Sequence, residues 1–336
     1  MIRAAVLLLS LAICALPVAA QRTVLIVGQK ASSTVGFYTP EGKPLATVAV
    51  GQHPHELLIS PDGRYAYTTD NGTMAIEEAG NGNNTVSQID IRARKRSSVI
   101  STGKFYRPHG IDMDPVTGNL LVTTENPPQL LVIDSKTHEI LRTYDPKGKT
   151  PHIVTAGKDG KWAYVSNAGS GTVSAIELAT GRLISIPVGE RPEGSTLSKD
   201  GKRLYVCNRT SGEISIIDTD TKKNIGTIKS GKQPVRIQLT PDQKYAVYGM
   251  ADGHAIGFAD LAQRKEVAQV PTNGERVVSM HISPDGKWAL AGTEEGNSVY
   301  IVDIASRKLV RKFSVPNGSN PDPVQAVVVP QELSEK

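Results

Sequence analysis

The stretch "GQHPHELLISPDGRYAYTTD", residues 51–70, is an apolar run that starts at a proline, stops at a Pro-Asp-Gly turn and gives way to a second apolar run. The same signals return in "RPHGIDMDPVTGNLLVTTEN" from Arg107, "TPHIVTAGKDGKWAYVSNAG" from Thr150 and "RPEGSTLSKDGKRLYVCNRT" from Arg191. They return again in "QPVRIQLTPDQKYAVYGMAD" from Gln233 and "RVVSMHISPDGKWALAGTEE" from Arg276. Pro54, Pro108, Pro151, Pro192, Pro234 and Val277 are therefore equivalent, at separations of 54, 43, 41, 42 and 43 residues. "DPVQAVVVP" supplies a seventh start at Pro323, 46 residues further on. A fixed period of this size is the mark of a repeat architecture.

Each unit reads as four short strands. In residues 192–233 an apolar strand ends at "KDG", "RLYVCN" ends at "RTSG", "EISIID" ends at "TDTKK", and "NIGTIKSG" closes the unit. The β-branched content and the Gly, Asn and Asp turns favour strands, and no helical period competes with them. One such sheet cannot bury both faces, but a ring of them can, which predicts an all-β, seven-bladed β-propeller with four antiparallel strands per blade. The last start lacks three strands, whereas "RTVLIVGQ", "TVGFYTP" and "PLATVAVG" near the N-terminus lack a first one. The two ends are thus expected to share a blade and close the ring.

"YVSN" at Tyr164–Asn167 and "YVCN" at Tyr205–Asn208, each followed by a turn and an "xIxIID"-type strand, resemble the YVTN-repeat family of secreted, YncE-like seven-bladed propellers. The resemblance spans residues 22–330, with "YGMA" and "AGTE" departing from the signature in blades five and six. Rings similar to these occur among lactonases, lyases, nucleic-acid binders and surface-layer proteins, so the resemblance implies a fold and leaves the chemistry open.

Residues 1–20, "MIRAAVLLLSLAICALPVAA", carry one basic residue, a short apolar stretch and small residues before Gln21, and read as a cleaved secretory signal. Residues 21–336 then form a single domain, expected to be periplasmic or secreted, monomeric and without a membrane span. Cys14 falls in the signal and Cys207 is the other cysteine, so the mature chain has no intramolecular disulfide. The formal net charge of +5 is mild for 336 residues, and the densest basic run, "RARKRSS" at Arg92–Ser98, reads as a solvated turn. With aromatic residues at 5%, the composition argues against nucleic acid as the partner.

In a propeller the first strand of each blade lines the central channel, so the residue after the repeat proline stands at the top rim. Blade by blade these positions read His55, His109, His152, Glu193, Val235, Val278 and Val324. The second strand returns to that face and ends at Asp70, Glu125, Asn167, Asn208, Met250 and Thr293. Polar groups thus gather on blades one to four. Residues 71–84, "NGTMAIEEAGNGNN", form a much longer connection than "AGSG" at 168–171, and are expected to cover the mouth as a lid bearing Glu77 and Glu78. His281, lower on its strand, is expected to face the channel.

The candidate ligand-binding residues are therefore His55, His109, His152, Glu193, Asp70, Glu125, Glu77 and Glu78. Three imidazoles and a carboxylate suit a divalent transition metal such as zinc or copper, giving His55, His109, His152 and Glu193 as a candidate metal set. The first expectation is a binding propeller that takes a small molecule or protein ligand on its top face. The alternative is a metal-assisted lactonase- or lyase-type enzyme in which one of the histidines is the general base. A third reading is an envelope scaffold or nucleic-acid-binding propeller using the basic turn at Arg92–Arg96.

Overall fold

The structure, a computed structural model, describes residues 21–333; the expected signal, with Cys14, and the last three residues lie outside them. The described chain forms seven four-stranded antiparallel sheets, and six of them use consecutive strands. Blade one runs Pro54–Ile59, Tyr65–Asp70, Thr85–Asp90 and Lys95–Ser101. The seventh sheet takes its inner strand, Pro321–Pro330, from the C-terminal end and pairs it with Gln21–Gln29, followed by Thr34–Tyr38 and Pro44–Ala49. Register pairs such as Leu25↔Ala326 and Arg22↔Val329 close the ring as the sequence predicts.

Burial explains why these segments are strands. The middle strands are covered on both faces by neighbouring blades, so Arg203–Asn208 and Glu213–Asp218 are buried almost throughout. The outer strand Lys223–Lys229 is mostly exposed and keeps Ile228 as its buried anchor. Facing blades share apolar clusters. Between blades seven and one, Ile26, Phe37 and Val327 pack with Leu57 and Ile89. Full burial of each such side chain is worth about 1.5–3 kcal/mol. The first turn of blade one is fixed by its own side chains: Ser60 Oγ donates to Asp62 Oδ1 at 2.6 Å, Arg64 N donates to the same oxygen at 3.0 Å, and Gly63 supplies a φ of 69°.

One register differs from expectation. The residue before each repeat proline is left-handed, with φ of 48° at His53, 55° at Arg107, 54° at Arg191 and 56° at Gln233. In blade seven that residue is Asn320, at 51°, so the repeat starts at Pro321 and not at Pro323. The strand pairing agrees: Pro54↔Asp70 then Leu57↔Thr68 in blade one is matched by Pro321↔Gln29 then Val324↔Val27 in blade seven. The rim residue of blade seven is therefore Asp322, not Val324. Blade two also differs, because Tyr106↔Asn126 extends its first pairing and Thr124, not Glu125, stands opposite Pro108.

Ile26 is fully buried in the closing blade, whereas Ile225 on an outer strand is 38% exposed. Ile26→Ala should lower the stability by about 2–5 kcal/mol. Ile225→Ala should change it by about 0.5 kcal/mol or less. Urea unfolding midpoints at unchanged slope provide the measurement.

Candidate functional site

At the top mouth of the ring lies a cavity of about 300 Å³. His55, His109, His152 and Glu193 line one side of it, Asp322 belongs to the other, and Met74, Ala75, Ile76 and Glu77 of the long connection form part of its wall. The repeat places the histidines. Thr69 Oγ1 of blade one donates to the His109 carbonyl of blade two at 2.7 Å, and Thr123 Oγ1 of blade two donates to the His152 carbonyl of blade three at 2.6 Å. Gly110 makes the approach possible, since a Cβ there would stand 2.4 Å from the His152 carbonyl oxygen. The rings consequently pack on one another, His55 against His109 at 4.7 Å between centroids and His109 against His152 at 3.9 Å.

The three rings are held differently. His55 Nδ1 lies 3.0 Å from the His53 carbonyl oxygen, which can only accept, so Nδ1 carries the proton and Nε2 the lone pair. His109 Nδ1 lies 2.6 Å from Glu125 Oε1, an arrangement that again turns Nε2 into the free face, and this Nε2 is buried without a hydrogen-bond partner. His152 Nδ1 is likewise buried and unpartnered. Burial holds the pKa values of His55 and His152 well below the ordinary 6.5, reinforced at His55 by Lys30 and at both by neighbouring imidazoles. These two rings are neutral near pH 7.

Around the histidines runs a set of charges that the sequence reading did not single out. Arg191 Nε and Arg209 NH1 reach Glu193 Oε1 at 2.8 and 3.1 Å, and Arg236 NH1 lies 3.8 Å from Glu193 Oε2. Burial pushes the Glu193 carboxyl up, but Arg209, Arg236 and Arg191 together overcome that effect and hold it below its usual range. Lys30 and Arg276 also line the cavity. Arg236 is ion-paired with Glu56 and lines a second cavity of about 230 Å³ lower in the channel, which His281 borders as expected. The missed residues had a signal in the repeat: Arg107, Arg191 and Arg276 share the position before the rim start, and Arg236 aligns with Glu56 two residues after it. Asp322 was hidden by the two-residue slip in blade seven.

The remaining candidates separate by geometry. Glu125 belongs with the site through His109, and its Oε2 lies 2.9 Å from Arg107 Nε. Glu77 lines the cavity and meets Arg191 NH1 at 3.0 Å. Glu78 instead shapes the loop, where its Oε1 accepts from Met74 N at 3.1 Å. Asp70 faces its own blade, accepting from Gly51 N at 3.0 Å, Thr85 Oγ1 at 2.7 Å and Ser87 Oγ at 2.9 Å, so the structure does not bring it to the cavity. Asn167 and Asn208 turn the same way, toward Ser174 and Ser215.

The expected metal set is not assembled. Among the described residues no group of three or more His, Cys, Asp or Glu side chains could hold a metal ion. The physical reason is twofold: the imidazoles pack ring against ring instead of aiming their nitrogens at one point, and Glu193 is taken by arginines. Among the described residues no helix is long and apolar enough to cross a membrane.

Comparison with known proteins adds a partial likeness. Residues 203–331 match the Cytochrome D1 heme domain family, a segment that starts in the second strand of blade four and ends in blade seven. It contains Arg209, Arg236, Arg276 and Asp322 but none of the three rim histidines. A functionally unknown protein from Desulfotomaculum acetoxidans superposes with a TM-score of 0.76 at 14% identity, over 90% of this chain and 98% of its own. The dihydro-heme d1 dehydrogenase NirN, in complex with DHE, gives a TM-score of 0.66 at 16% identity over 90% of this chain and 74% of its own. At these identities the likeness is one of fold. The hydrazine synthase of Kuenenia stuttgartiensis is 30% identical, with a TM-score of 0.47, and the chain spans only 49% of that protein's length and 49% of its own. No curated protein matches the chain.

Asp322 is buried with Oδ1 unpartnered, and burial pushes its carboxyl up to about 7 against the opposing charges of Lys30 and Arg236. A carboxyl whose folded pKa is raised favours the folded state below its unfolded value near 3.8, and that contribution is lost as the pH rises through about 7. Asp322→Asn should therefore stabilise the protein more at pH 8.5 than at pH 5 relative to wild type. Paired urea titrations at the two pH values test this; equal differences would count against a buried, proton-holding Asp322.

Proposed function

We propose that this protein is a binding propeller for a carboxylate-bearing tetrapyrrole of the heme type, held at the top mouth. The observation that carries the reading is the make-up of the mouth: a cavity lined by three imidazoles and by Lys30, Arg191, Arg209, Arg236 and Arg276, with His109 Nε2 buried beside it without a hydrogen-bond partner and the His109 ring oriented by Glu125. The donor set fits such a ligand. A macrocycle carries four nitrogens for its own iron, so one imidazole, that of His109, would suffice to hold it and a convergent triad would not be required. The acid side chains of the macrocycle need cations, and Arg is the residue suited to carboxylates. The likeness of residues 203–331 to the Cytochrome D1 heme domain supports the same ligand class.

In this reading His109, flanked by His55 and His152, would hold the macrocycle, and Glu125 fixes the orientation of His109. Bound heme iron would supply one-electron redox chemistry at the metal; the chain's own residues bind, orient and cover the group. A cavity of about 300 Å³ is at the lower end of small-molecule pockets, so the loop at 71–84 moves to admit the whole ligand. The signal at residues 1–20 and the YVTN-type repeats belong to the same proposal, that of a YncE-like propeller exported to the periplasm or beyond.

The test is titration of purified protein with hemin, an iron tetrapyrrole dicarboxylate, followed in the visible absorption bands. Wild type should bind at micromolar concentration or tighter with a spectrum typical of imidazole ligation. His109→Ala should lose that signature and weaken binding about tenfold or more, consistent with the loss of one strong interaction. A wild-type protein whose spectrum is that of free hemin removes the proposal.

A further inference from the structure

Three guanidiniums, Arg191, Arg209 and Arg236, gather around the buried carboxylate of Glu193, and Arg236 is also paired with the partly buried Glu56 and lies in the field of Asp322. Arg209 spends its Nε on a neutral partner, Gln233 Oε1, at 2.9 Å. A further carboxylate comes from the lid: Glu77 Oε1 lies 3.0 Å from Arg191 Nη1 while its side chain is 64% exposed. An ion pair with so exposed an acid contributes little to stability, about 0–1 kcal/mol, so it exchanges readily with a competing anion.

The lid is fastened elsewhere. Arg107 NH1 donates to the Glu78 carbonyl at 2.9 Å, and its NH2 donates to the carbonyls of Ala75 and Ile76 at 3.2 and 3.0 Å. Arg107 is 7% exposed and also bound to Glu125, so the loop has a fastening to blade two that does not depend on the Glu77 side chain. What Glu77 provides is a charge, placed at Arg191, one of the guanidiniums that line the cavity.

We infer that Arg191 is the subsite for a ligand carboxylate, and that Glu77 is the chain's own stand-in for that carboxylate, displaced when the ligand enters. The inference rests on the proposed function in taking the ligand to be a carboxylate, and it adds which residue reads that group and which residue competes with it. Glu77 thereby sets a threshold: neutral ligands do not displace it, whereas an anion of suitable reach does. The same geometry assigns selectivity for the free acid over its ester.

Two arms test this. In the first, hemin and its dimethyl ester are titrated into wild type, Glu77→Gln and Arg191→Gln. Glu77→Gln should bind hemin about two- to fivefold tighter, the range that loss of an exposed competing pair allows. Arg191→Gln should weaken hemin without weakening the ester. Unchanged or weaker hemin binding by Glu77→Gln, or equal losses for acid and ester with Arg191→Gln, overturns the inference. The second arm does not depend on heme: amide hydrogen exchange of residues 71–84 is followed with citrate against sodium chloride at equal ionic strength. Citrate should speed exchange in wild type and leave Glu77→Gln, already fast, unaltered. If hemin fails to bind wild type but citrate acts in this way, the heme reading falls and the Arg191 subsite stands. If citrate acts no differently from chloride, the subsite falls.

Discussion

The pairing of Gln21–Gln29 with Pro321–Pro330 joins segments some three hundred residues apart in sequence and turns a row of sheets into a ring. Every blade depends on it, because each apolar face is covered only by the next blade, and an open row would leave two faces in water. Ring closure also fixes the distances between rim positions, since the inner strands can approach only as closely as their backbones allow. The close, tilted contact of His109 with His152 is a direct outcome: a glycine at position 110 and a threonine at position 123 bring one inner strand against the next.

Within that frame the site is built from neutral rings and compensated charges. Burial keeps His55 and His152 unprotonated, so these two imidazoles offer lone pairs and not charge. The positive potential comes from arginines, whose charge burial cannot readily remove. Glu193, surrounded by three of them, acts as an electrostatic keystone that lets like charges stand close together. The division of labour suits a ligand that needs a donor at its centre and cations at its edge.

The architecture was legible in the sequence because a period near 42 residues, with the same turn residues at the same offsets, leaves few alternatives. The sector of His55, His109, His152 and Glu193 and the covering loop were legible for the same reason: strand position dictates which face a residue meets. Less legible was anything set by local shifts of register. Pro321 and Pro323 both fit the repeat, and only the left-handed Asn320 decides between them, which is why Asp322 was missed. Asp70 and Glu125 look equivalent in sequence, yet one extra pair of residues in blade two swings Glu125 toward His109 while Asp70 turns toward Thr85 and Ser87. Metal coordination was beyond reach because it depends on ring orientation, which neighbouring side chains decide.

Arg236 lines both the upper cavity and the lower one, and its ion pair with Glu56 crosses the channel between them. The hole through the ring is thus divided by a charged crossbar into an upper and a lower chamber. A guest passing from one chamber to the other would have to part that ion pair, so the two chambers can differ in what they hold.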